Sequence, residues 1–163
     1  MAHRVFAYGS NMNLVDLVRW AQLNGRPPPM IHAMYQAELR GMARCWNYWS
    51  TARNGGAANV CPDQESSVWG LILEVDEPTF LTMDLKEGHP NRYSRGTTQH
   101  RCWIPKGDRY EEAWVYVVTP EFRVDGTVRP TAAYLKLIID AATAHQLPLH
   151  EIEKLRQTSV APN

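Results

Sequence analysis

The sequence predicts an α+β domain with a mixed sheet or a small barrel, on three observations. Strand-like and helix-like segments alternate, but hairpin-like neighbouring strands dominate the middle of the chain, which does not suit a doubly wound parallel sheet. The length of 163 residues fits a single domain, residues 1–163, that can bury a hydrophobic core. Hydrophobic residues make up 44% of the chain, which excludes a disordered protein.

The N-terminal segment predicts a strand, a turn and a helix. Residues 3–8 form a short strand-like run that ends at the turn cluster of residues 9–11. Asn13 can cap a helix over about residues 14–23, because apolar residues recur there at helical spacing. The Pro-rich run of residues 24–30 ends that helix.

The middle of the chain predicts several strands. Residues 31–45 have a strand-like but ambiguous pattern, and residues 46–56, rich in aromatic and then small polar residues, predict a loop. Residues 57–60 favour a short strand. Residues 67–75 give the clearest strand, since they are nearly all apolar and therefore indicate burial.

The second half predicts a helix, a hairpin and two more helices. Pro78 opens a helix to about residue 86, and Gly88 ends it. Residues 92–104 and 110–118 predict two strands around the turn of residues 105–108. The last two helices are predicted over about residues 129–144 and 148–155.

Charge and hydropathy exclude several classes of partner. The chain has 17 Lys+Arg and 17 Asp+Glu, so it lacks the basic excess that is usual in nucleic-acid binders. Its longest apolar runs are far shorter than the ~20 residues that span a bilayer, and no apolar segment at the N-terminus indicates a secretory signal. We therefore expect no nucleic-acid partner and no membrane. The balanced charge allows self-association, for example a homodimer, without indicating it.

The cysteines and histidines predict neither a disulfide framework nor a metal site. Cys45, Cys61 and Cys102 are odd in number and widely spaced, and they form no C-x-x-C motif. This usage is typical of the reducing cytoplasm. None of the six histidines forms the i, i+4 pair of a helical zinc site, so we expect no metal.

The first candidate site is the run Phe6-Ala-Tyr-Gly-Ser-Asn11. A strand that ends in such a turn exposes consecutive backbone N–H groups, and a helix that follows brings its positive dipole end nearby, which suits a carboxylate or an oxyanion. The alternative is an ordinary strand-to-helix turn in which Ser10 or Asn11 only caps the helix. Ser10 does not lie in G-x-S-x-G, so a nucleophile elbow is not indicated.

The second candidate is Glu87, at the predicted end of a helix and just before Gly88. A carboxylate there meets the negative end of the helix dipole, and partial burial would raise its pKa towards that of a general base working near neutral pH. The alternative is a solvated surface glutamate beside a C-cap glycine. Asp84, one turn earlier, either couples to Glu87 or lies on the surface.

Aromatic residues give weaker signals. Tyr93, Tyr116 and Tyr134 lie either in the core or at a polar site where a hydroxyl positions a ligand. The segment 46–49 forms either an aromatic wall or a packed loop. His89 follows the Glu87-Gly88 pair, so it either lines the same site or lies on the surface.

Several motifs occur together in one order along nearly the whole chain, from about Val5 to Leu155. They are Phe6-Ala-Tyr-Gly-Ser-Asn11, Gly55-Gly-Ala-Ala-Asn-Val60, Val68-Trp-Gly-Leu71, Glu87-Gly88 with Tyr93-Ser-Arg95, and Pro130, Tyr134 and Gln146-Leu-Pro148. In this order they resemble the γ-glutamylcyclotransferase-like superfamily, which includes γ-glutamylamine cyclotransferase relatives.

The resemblance implies a fold and a chemistry. The fold is a small closed mixed β-barrel with helices packed outside and a ligand cavity at the barrel mouth. In the chemistry, the α-amine of a γ-glutamyl compound attacks its own γ-carbonyl, which gives 5-oxoproline and a released amine or amino acid. No cofactor is expected, because the nucleophile belongs to the small-molecule substrate.

The resemblance also assigns expected roles to individual residues. Glu87 matches the general acid/base. The residues that match the substrate-binding loop or aromatic positions lining the pocket are Tyr8, Gly9, Ser10, Asn11, Tyr116 and Tyr134. The chain departs from the vertebrate enzymes at residues 89–92 and 46–53, both expected to face the leaving group. The leaving group therefore stays open between an amino acid, an amine and a biosynthetic intermediate, with glutathione less favoured.

Two other functions stay open. The same cavity could serve a non-catalytic module that binds a γ-glutamyl compound or regulates a partner, although such a module has no need of an acid–base glutamate. A Ser10-dependent hydrolase is the least favoured, because the nucleophile elbow is missing.

Overall fold

The computed structural model describes all 163 residues and confirms a mixed α+β fold. In chain order its elements are β1 (His3–Ala7), α1 (Leu14–Leu23), β2 (Ile31–Cys45), β3 (Trp49–Ser50), β4 (Gly55–Gly56), β5 (Asn59–Val75), α2 (Glu77–Glu87), β6 (Tyr93–Ser94), β7 (His100–Ile104), β8 (Arg109–Ala113), β9 (Val117–Val118), α3 (Ala132–Ala144) and α4 (Leu149–Arg156). Five strands form one sheet in the order β1-β5-β2-β7-β8, with antiparallel neighbours throughout.

The four predicted helices are confirmed, and side-chain caps mark where three of them begin. The Asn13 side chain accepts a hydrogen bond from the backbone of α1, and Thr131 does the same for α3. Helix α2 begins after Asp76 and ends at Gly88, whose φ of 70° is left-handed and therefore favours glycine. No helix is long and apolar enough to cross a membrane.

Strands β2 and β5 pair over most of their length and form the centre of the sheet. Their register runs from Ile31 opposite Val75 to Cys45 opposite Asn59. The prediction of two separate strands over residues 57–60 and 67–75 is wrong, because β5 is one continuous strand from Asn59 to Val75. The polar residues between them resemble a break in the sequence, but the strand pairs with β2 on both sides of them.

The same register corrects the expectation for the cysteines. Cys61 lies opposite Ala43 and Cys45 lies opposite Asn59, so the two cysteines are diagonal neighbours across β2 and β5. They form a disulfide with a Cα–Cα distance of 6.3 Å, while Cys102 is free and buried. Sequence spacing gave no sign of this pairing, and the cysteine argument for a reducing compartment no longer holds.

Two further predictions need correction in detail. The predicted loop over residues 46–56 contains the short antiparallel pair β3–β4. The predicted hairpin around residues 105–108 is confirmed as β7–β8, but its strands are shorter than expected. Their outer parts leave the main sheet and pair separately as β6–β9.

The two edges of the five-stranded sheet meet at one point. Val5 of β1 forms a parallel bridge with Trp114, which directly follows β8. The Phe6 N–H donates to the Trp114 carbonyl, and the Trp114 N–H donates to the Arg4 carbonyl, both at 2.9 Å. Apart from this single bridge, no pairing between the two edge strands is found, and no closed barrel is found. The sheet is antiparallel rather than mixed, apart from the bridge itself.

Candidate active site

The two candidate sites predicted from the sequence lie side by side. The turn after β1 forms a short 3-10 helix, Ser10–Met12, and α2 ends at Glu87 next to it. The Asn11 side-chain amide, on Nδ2, donates a hydrogen bond of 2.8 Å to Glu87 Oε1. The turn and the end of the helix therefore build one site from two distant parts of the chain.

The turn presents backbone donors without protein partners. The N–H groups of Gly9, Ser10 and Asn11 donate to no backbone carbonyl and to no side chain, whereas Met12 already donates to the Gly9 carbonyl at 3.1 Å. Neither Ser10 nor Asn11 caps α1, since Asn13 does so. Consecutive free N–H groups of this kind can bind a carboxylate or a developing oxyanion.

A buried lysine, Lys86, holds the turn in place. Its side chain is only 5% exposed, and Nζ donates to Asn11 Oδ1 at 2.6 Å, Asp16 Oδ2 at 3.1 Å and Ser10 Oγ at 3.3 Å. Because the amide oxygen of Asn11 binds the ammonium, its NH₂ group faces Glu87. Lys86 therefore fixes the donor that contacts the carboxylate.

Asp16 is shared between two cations. Besides Lys86 it binds the guanidinium of Arg53 through two hydrogen bonds, of 3.1 and 2.7 Å. Burial opposes ionisation of Asp16, but these two cations together hold the pKa of its carboxyl below the usual range. Sequence reasoning missed Lys86, Asp16 and Arg53, since a lysine in a last helical turn and an arginine in a loop are usually solvated.

Burial raises the pKa of the Glu87 carboxyl. Lys86 opposes this shift, as do the Asn11 hydrogen bond and the positive charges of Arg53 and Arg92, but burial dominates. Glu87 therefore is not a solvated surface glutamate. A carboxyl with a raised pKa can accept and return a proton near neutral pH.

Asp84, one turn earlier on α2, is neither coupled to Glu87 through a hydrogen bond nor on the surface. Arg95 binds it with two hydrogen bonds of 2.9 and 3.0 Å, and the Tyr116 hydroxyl donates a third of 2.6 Å. Burial opposes its ionisation, but these partners lower the pKa of the Asp84 carboxyl. Asp84 is thus not a surface residue, and its hydrogen bonds go to Arg95 and Tyr116 rather than to Glu87.

Four tyrosines surround the space next to Glu87, where their hydroxyls are anchored to the backbone or to Asp84. The Tyr8 hydroxyl donates to the Tyr116 carbonyl at 2.6 Å, and the Tyr93 hydroxyl donates to the Ala58 carbonyl at 2.7 Å. The Tyr134 hydroxyl accepts from the Ala58 N–H at 3.2 Å, which leaves its own proton free to donate. Burial raises the pKa of Tyr134 to about 12, so it stays protonated.

Two connected cavities meet at Glu87. An inner recess of about 40 Å³ is lined by the turn and the tyrosines, and an outer cavity of about 360 Å³ opens beyond it. Residues that line both are Ser10, Glu87, Tyr93 and Tyr134. The sequence-predicted residues Tyr8, Gly9, Asn11 and Tyr116 line the inner recess alone.

The structure also places the residues with ambiguous sequence signals. His89 lines neither cavity, and its Nδ1 accepts a hydrogen bond of 3.4 Å from the Arg95 N–H. In the segment 46–49, Tyr48 lines the outer cavity, Trp46 packs edge-on against Tyr134, and Trp49 is exposed. No group of three or more His, Cys, Asp or Glu side chains is arranged to hold a metal ion.

Comparisons with known proteins agree with one another. The model of a family described as "Gamma-glutamyl cyclotransferase, AIG2-like" matches residues 5–136. A solved structure titled "Gamma-glutamyl cyclotransferase" is similar with a TM-score of 0.81 and 20% identity, over 100% of this chain and 91% of that one. An uncharacterized protein from Homo sapiens is similar with a TM-score of 0.78 and 21% identity, over 99% and 90%.

A yeast gamma-glutamyl cyclotransferase described as specific to glutathione is also similar, with a TM-score of 0.63 and 15% identity over 94% of this chain and 93% of that one. At sequence identities of 15–21%, the similarity to these solved structures shows a shared fold. No curated protein matches the chain.

Proposed function

The chain belongs to the gamma-glutamyl cyclotransferase, AIG2-like family, and on this premise we propose that it converts a γ-glutamyl amino acid or γ-glutamyl amine to 5-oxoproline and the released amine. The observation that carries the proposal is the position of Glu87. Its carboxyl has a raised pKa and contacts a turn with free backbone N–H groups, at the junction of two cavities.

The substrate enters with the α-carboxylate end of its glutamyl head in the inner recess. Its α-carboxylate accepts hydrogen bonds from the free N–H groups of the turn, Gly9 to Asn11. Its γ-carbonyl then lies near Glu87, and the rest of the molecule extends into the outer cavity. The Tyr134 hydroxyl, whose proton is free, supports the same head group.

Glu87 carries protons from the attacking nitrogen to the leaving nitrogen. As a carboxylate it takes a proton from the substrate α-ammonium, and the freed amine attacks the γ-carbonyl carbon to form the new C–N bond. The tetrahedral oxyanion is stabilised by nearby donors. The old amide C–N bond then breaks as Glu87 returns the proton to the leaving nitrogen. The ring nitrogen, which still carries two protons after the attack, gives one of them to Glu87 as the neutral lactam forms, and Glu87 passes it to the released amine, which leaves as an ammonium. The amine of the substrate is the nucleophile, so the reaction needs no cofactor.

The scaffold is part of the proposal. The bridge between Val5 and Trp114 joins the two edges of the sheet just before the substrate-binding turn. We propose that this contact closes the sheet into the barrel that the family resemblance implies. On the other side of β1, Gly70 of β5 allows close packing, because a Cβ at this position would lie 2.2 Å from the Ala7 carbonyl oxygen.

The direct test is to incubate the protein with a panel of γ-glutamyl amino acids and γ-glutamyl amines and to measure 5-oxoproline by mass spectrometry. Glu87→Gln is the negative variant. Glu77→Gln, at the exposed start of the same helix with a side chain 58% exposed, is the matched control. We expect 5-oxoproline from the wild type and from Glu77→Gln at similar rates, and ~10²–10⁴-fold slower formation by Glu87→Gln.

Other outcomes would identify the alternatives. Tight binding of an intact γ-glutamyl compound without turnover would favour the non-catalytic binding module. Near-normal turnover by Glu87→Gln would show that another group is the base. A Ser10-dependent hydrolase is not proposed, because the polar partner of Ser10 Oγ is the ammonium of Lys86, which Asp16 and Asn11 also hold.

A further inference from the structure

We propose that the leaving amine of the substrate carries a carboxylate and that Arg19 and Arg92, at the outer cavity, bind it. This inference rests on the proposed function and deepens it, since it selects γ-glutamyl amino acids over γ-glutamyl amines. Neither arginine has been assigned a role by the sequence motifs.

The outer cavity has an excess of positive charge. Its lining includes four cationic side chains, Arg19, Arg53, Lys86 and Arg92, against two carboxylates, Asp16 and Glu87. A leaving group with a second ammonium would meet this excess and be repelled. A leaving group with a carboxylate would be attracted to it.

Only two of these cations are available to a ligand. Arg53 and Lys86 both bind Asp16. Arg19 and Arg92, in contrast, form no ion pair, and their guanidinium groups donate no hydrogen bond to the protein. An arginine without a protein partner at a cavity can bind a carboxylate through two parallel N–H···O bonds.

The absence of a side chain at Gly88 allows Arg92 to pack close to Glu87. A Cβ added at Gly88 would lie 2.2 Å from Arg92 Nε, so the guanidinium packs directly over the glycine that follows Glu87. Its positive charge is near enough to lower the pKa of the Glu87 carboxyl. Arg19 is one turn after Asp16 on α1 and lines the same cavity as Arg92.

The cavity also has apolar walls and enough room for a side chain. Trp20, Leu23 and Tyr48 line it beside the arginines, and its volume is about 360 Å³. The arginines supply the carboxylate site, and these three residues supply a surface for the side chain of an amino acid. The expected substrate class is therefore γ-glutamyl amino acids with neutral side chains.

A matched pair of substrates isolates the carboxylate. γ-Glutamyl-alanine and γ-glutamyl ethylamide differ by that one group, so their kcat/KM values report its contribution. We expect kcat/KM for γ-glutamyl-alanine to be larger by about tenfold or more, as a charge-assisted hydrogen-bond pair contributes at a partly exposed site. Arg19→Gln, Arg92→Gln and the double variant should lower this ratio progressively towards one. Arg101→Gln, an exposed arginine on β7 away from both cavities, should leave it unchanged.

The affinity of both compounds for Glu87→Gln, measured by calorimetry, separates this inference from the proposed function. Equal kcat/KM and equal affinity for the two compounds would overturn the carboxylate site while 5-oxoproline formation still supports the cyclotransferase. A preserved preference in affinity without any 5-oxoproline from the wild type would overturn the cyclotransferase and support the carboxylate site. Absence of both turnover and binding would overturn both.

Discussion

Two carboxylates near the end of α2, Asp84 and Glu87, lie one turn apart and have opposite electrostatic environments. Asp84 accepts three hydrogen bonds, two of them from a guanidinium, and its pKa is lowered. Glu87 accepts one hydrogen bond, from the neutral amide of Asn11, and burial raises its pKa. A fully partnered carboxylate stabilises the fold, whereas an under-partnered one is free to exchange a proton.

The largest expected effect tests this division of roles through catalysis. Glu87→Gln should lower kcat by ~10²–10⁴-fold, because the general acid/base is lost while the side chain keeps its shape. Asp84→Asn should stay within about tenfold of the wild type, because it contacts Tyr116 and Arg95 rather than the reacting atoms. The measurement is 5-oxoproline formation under saturating substrate, with circular dichroism to check the fold. A larger loss for Asp84→Asn than for Glu87→Gln would reverse the assignment.

The next effect tests the same division through stability. Asp84→Asn should lower the free energy of unfolding by about 1–3 kcal/mol, because the Arg95 guanidinium loses its charged partner. The loss should remain in this range since Arg95 is still partly exposed and stacks on Phe80 and Trp114. Urea denaturation measures it.

The control for stability is Asp140→Asn, which removes an exposed i, i+4 ion pair with Lys136. Its effect should not exceed about 0.5 kcal/mol. Equal effects of Asp84→Asn and Asp140→Asn would mean that the Asp84 cluster contributes no more than a surface pair.

Signals local to one segment were enough to predict much of this region. Asn13 and Gly88 mark helix ends by rules that need only a few neighbouring residues, and both ends lie where they were predicted. Local patterns singled out the turn and Glu87, and the motif order assigned both to the site of one family. The structure shows that these two candidates lie side by side. Neither motif alone predicts this, whereas the family resemblance implies it.

Contacts between distant segments could not be predicted. Lys86 has the local signature of a solvated residue that complements the helix dipole, and only the packing of α2 against the turn after β1 buries it. The partner of Asp84 comes from a loop eleven residues later, and the Cys45–Cys61 pair depends on strand register. Each of these depends on tertiary structure, which spacing along the chain does not encode.

The pH dependence of stability should separate the two carboxylates by sign. The pKa of Glu87 is raised in the folded state, so its contribution is most favourable below the unfolded pKa and is lost as pH rises through the folded value. The pKa of Asp84 is lowered, so its contribution is present above the unfolded pKa and is lost as pH falls through the folded value.

Chemical denaturation of the variants at pH 8 and at low pH checks these signs. At pH 8, Glu87→Gln should raise the free energy of unfolding, because a buried charge is removed, while Asp84→Asn should lower it. Towards low pH both differences should shrink, because the wild-type carboxyls become protonated. Destabilisation by Glu87→Gln at pH 8 would argue that the Glu87 carboxylate is already well stabilised by its partners.

The smallest expected effect concerns how Lys86 tunes Glu87. Its positive charge lowers the pKa of the Glu87 carboxyl against the effect of burial. Since kcat/KM of a reaction with a general base falls as pH drops through the pKa of that base in the free enzyme, Lys86→Met should move the acidic limb of the profile to higher pH. Lys136→Met, with a side chain 72% exposed, should leave the limb in place.

The direction of this shift distinguishes tuning from mere support of the turn. If Lys86 only positioned Asn11 and Ser10, its loss would change KM or stability, and the limb would keep its position. Arg53 remains bound to Asp16 in the variant, so the turn keeps one of its two charged anchors. A limb that moved to lower pH would mean that Lys86 does not favour the ionised form of Glu87. The pKa of Glu87 would then be set by burial and by its other partners, such as the Asn11 amide.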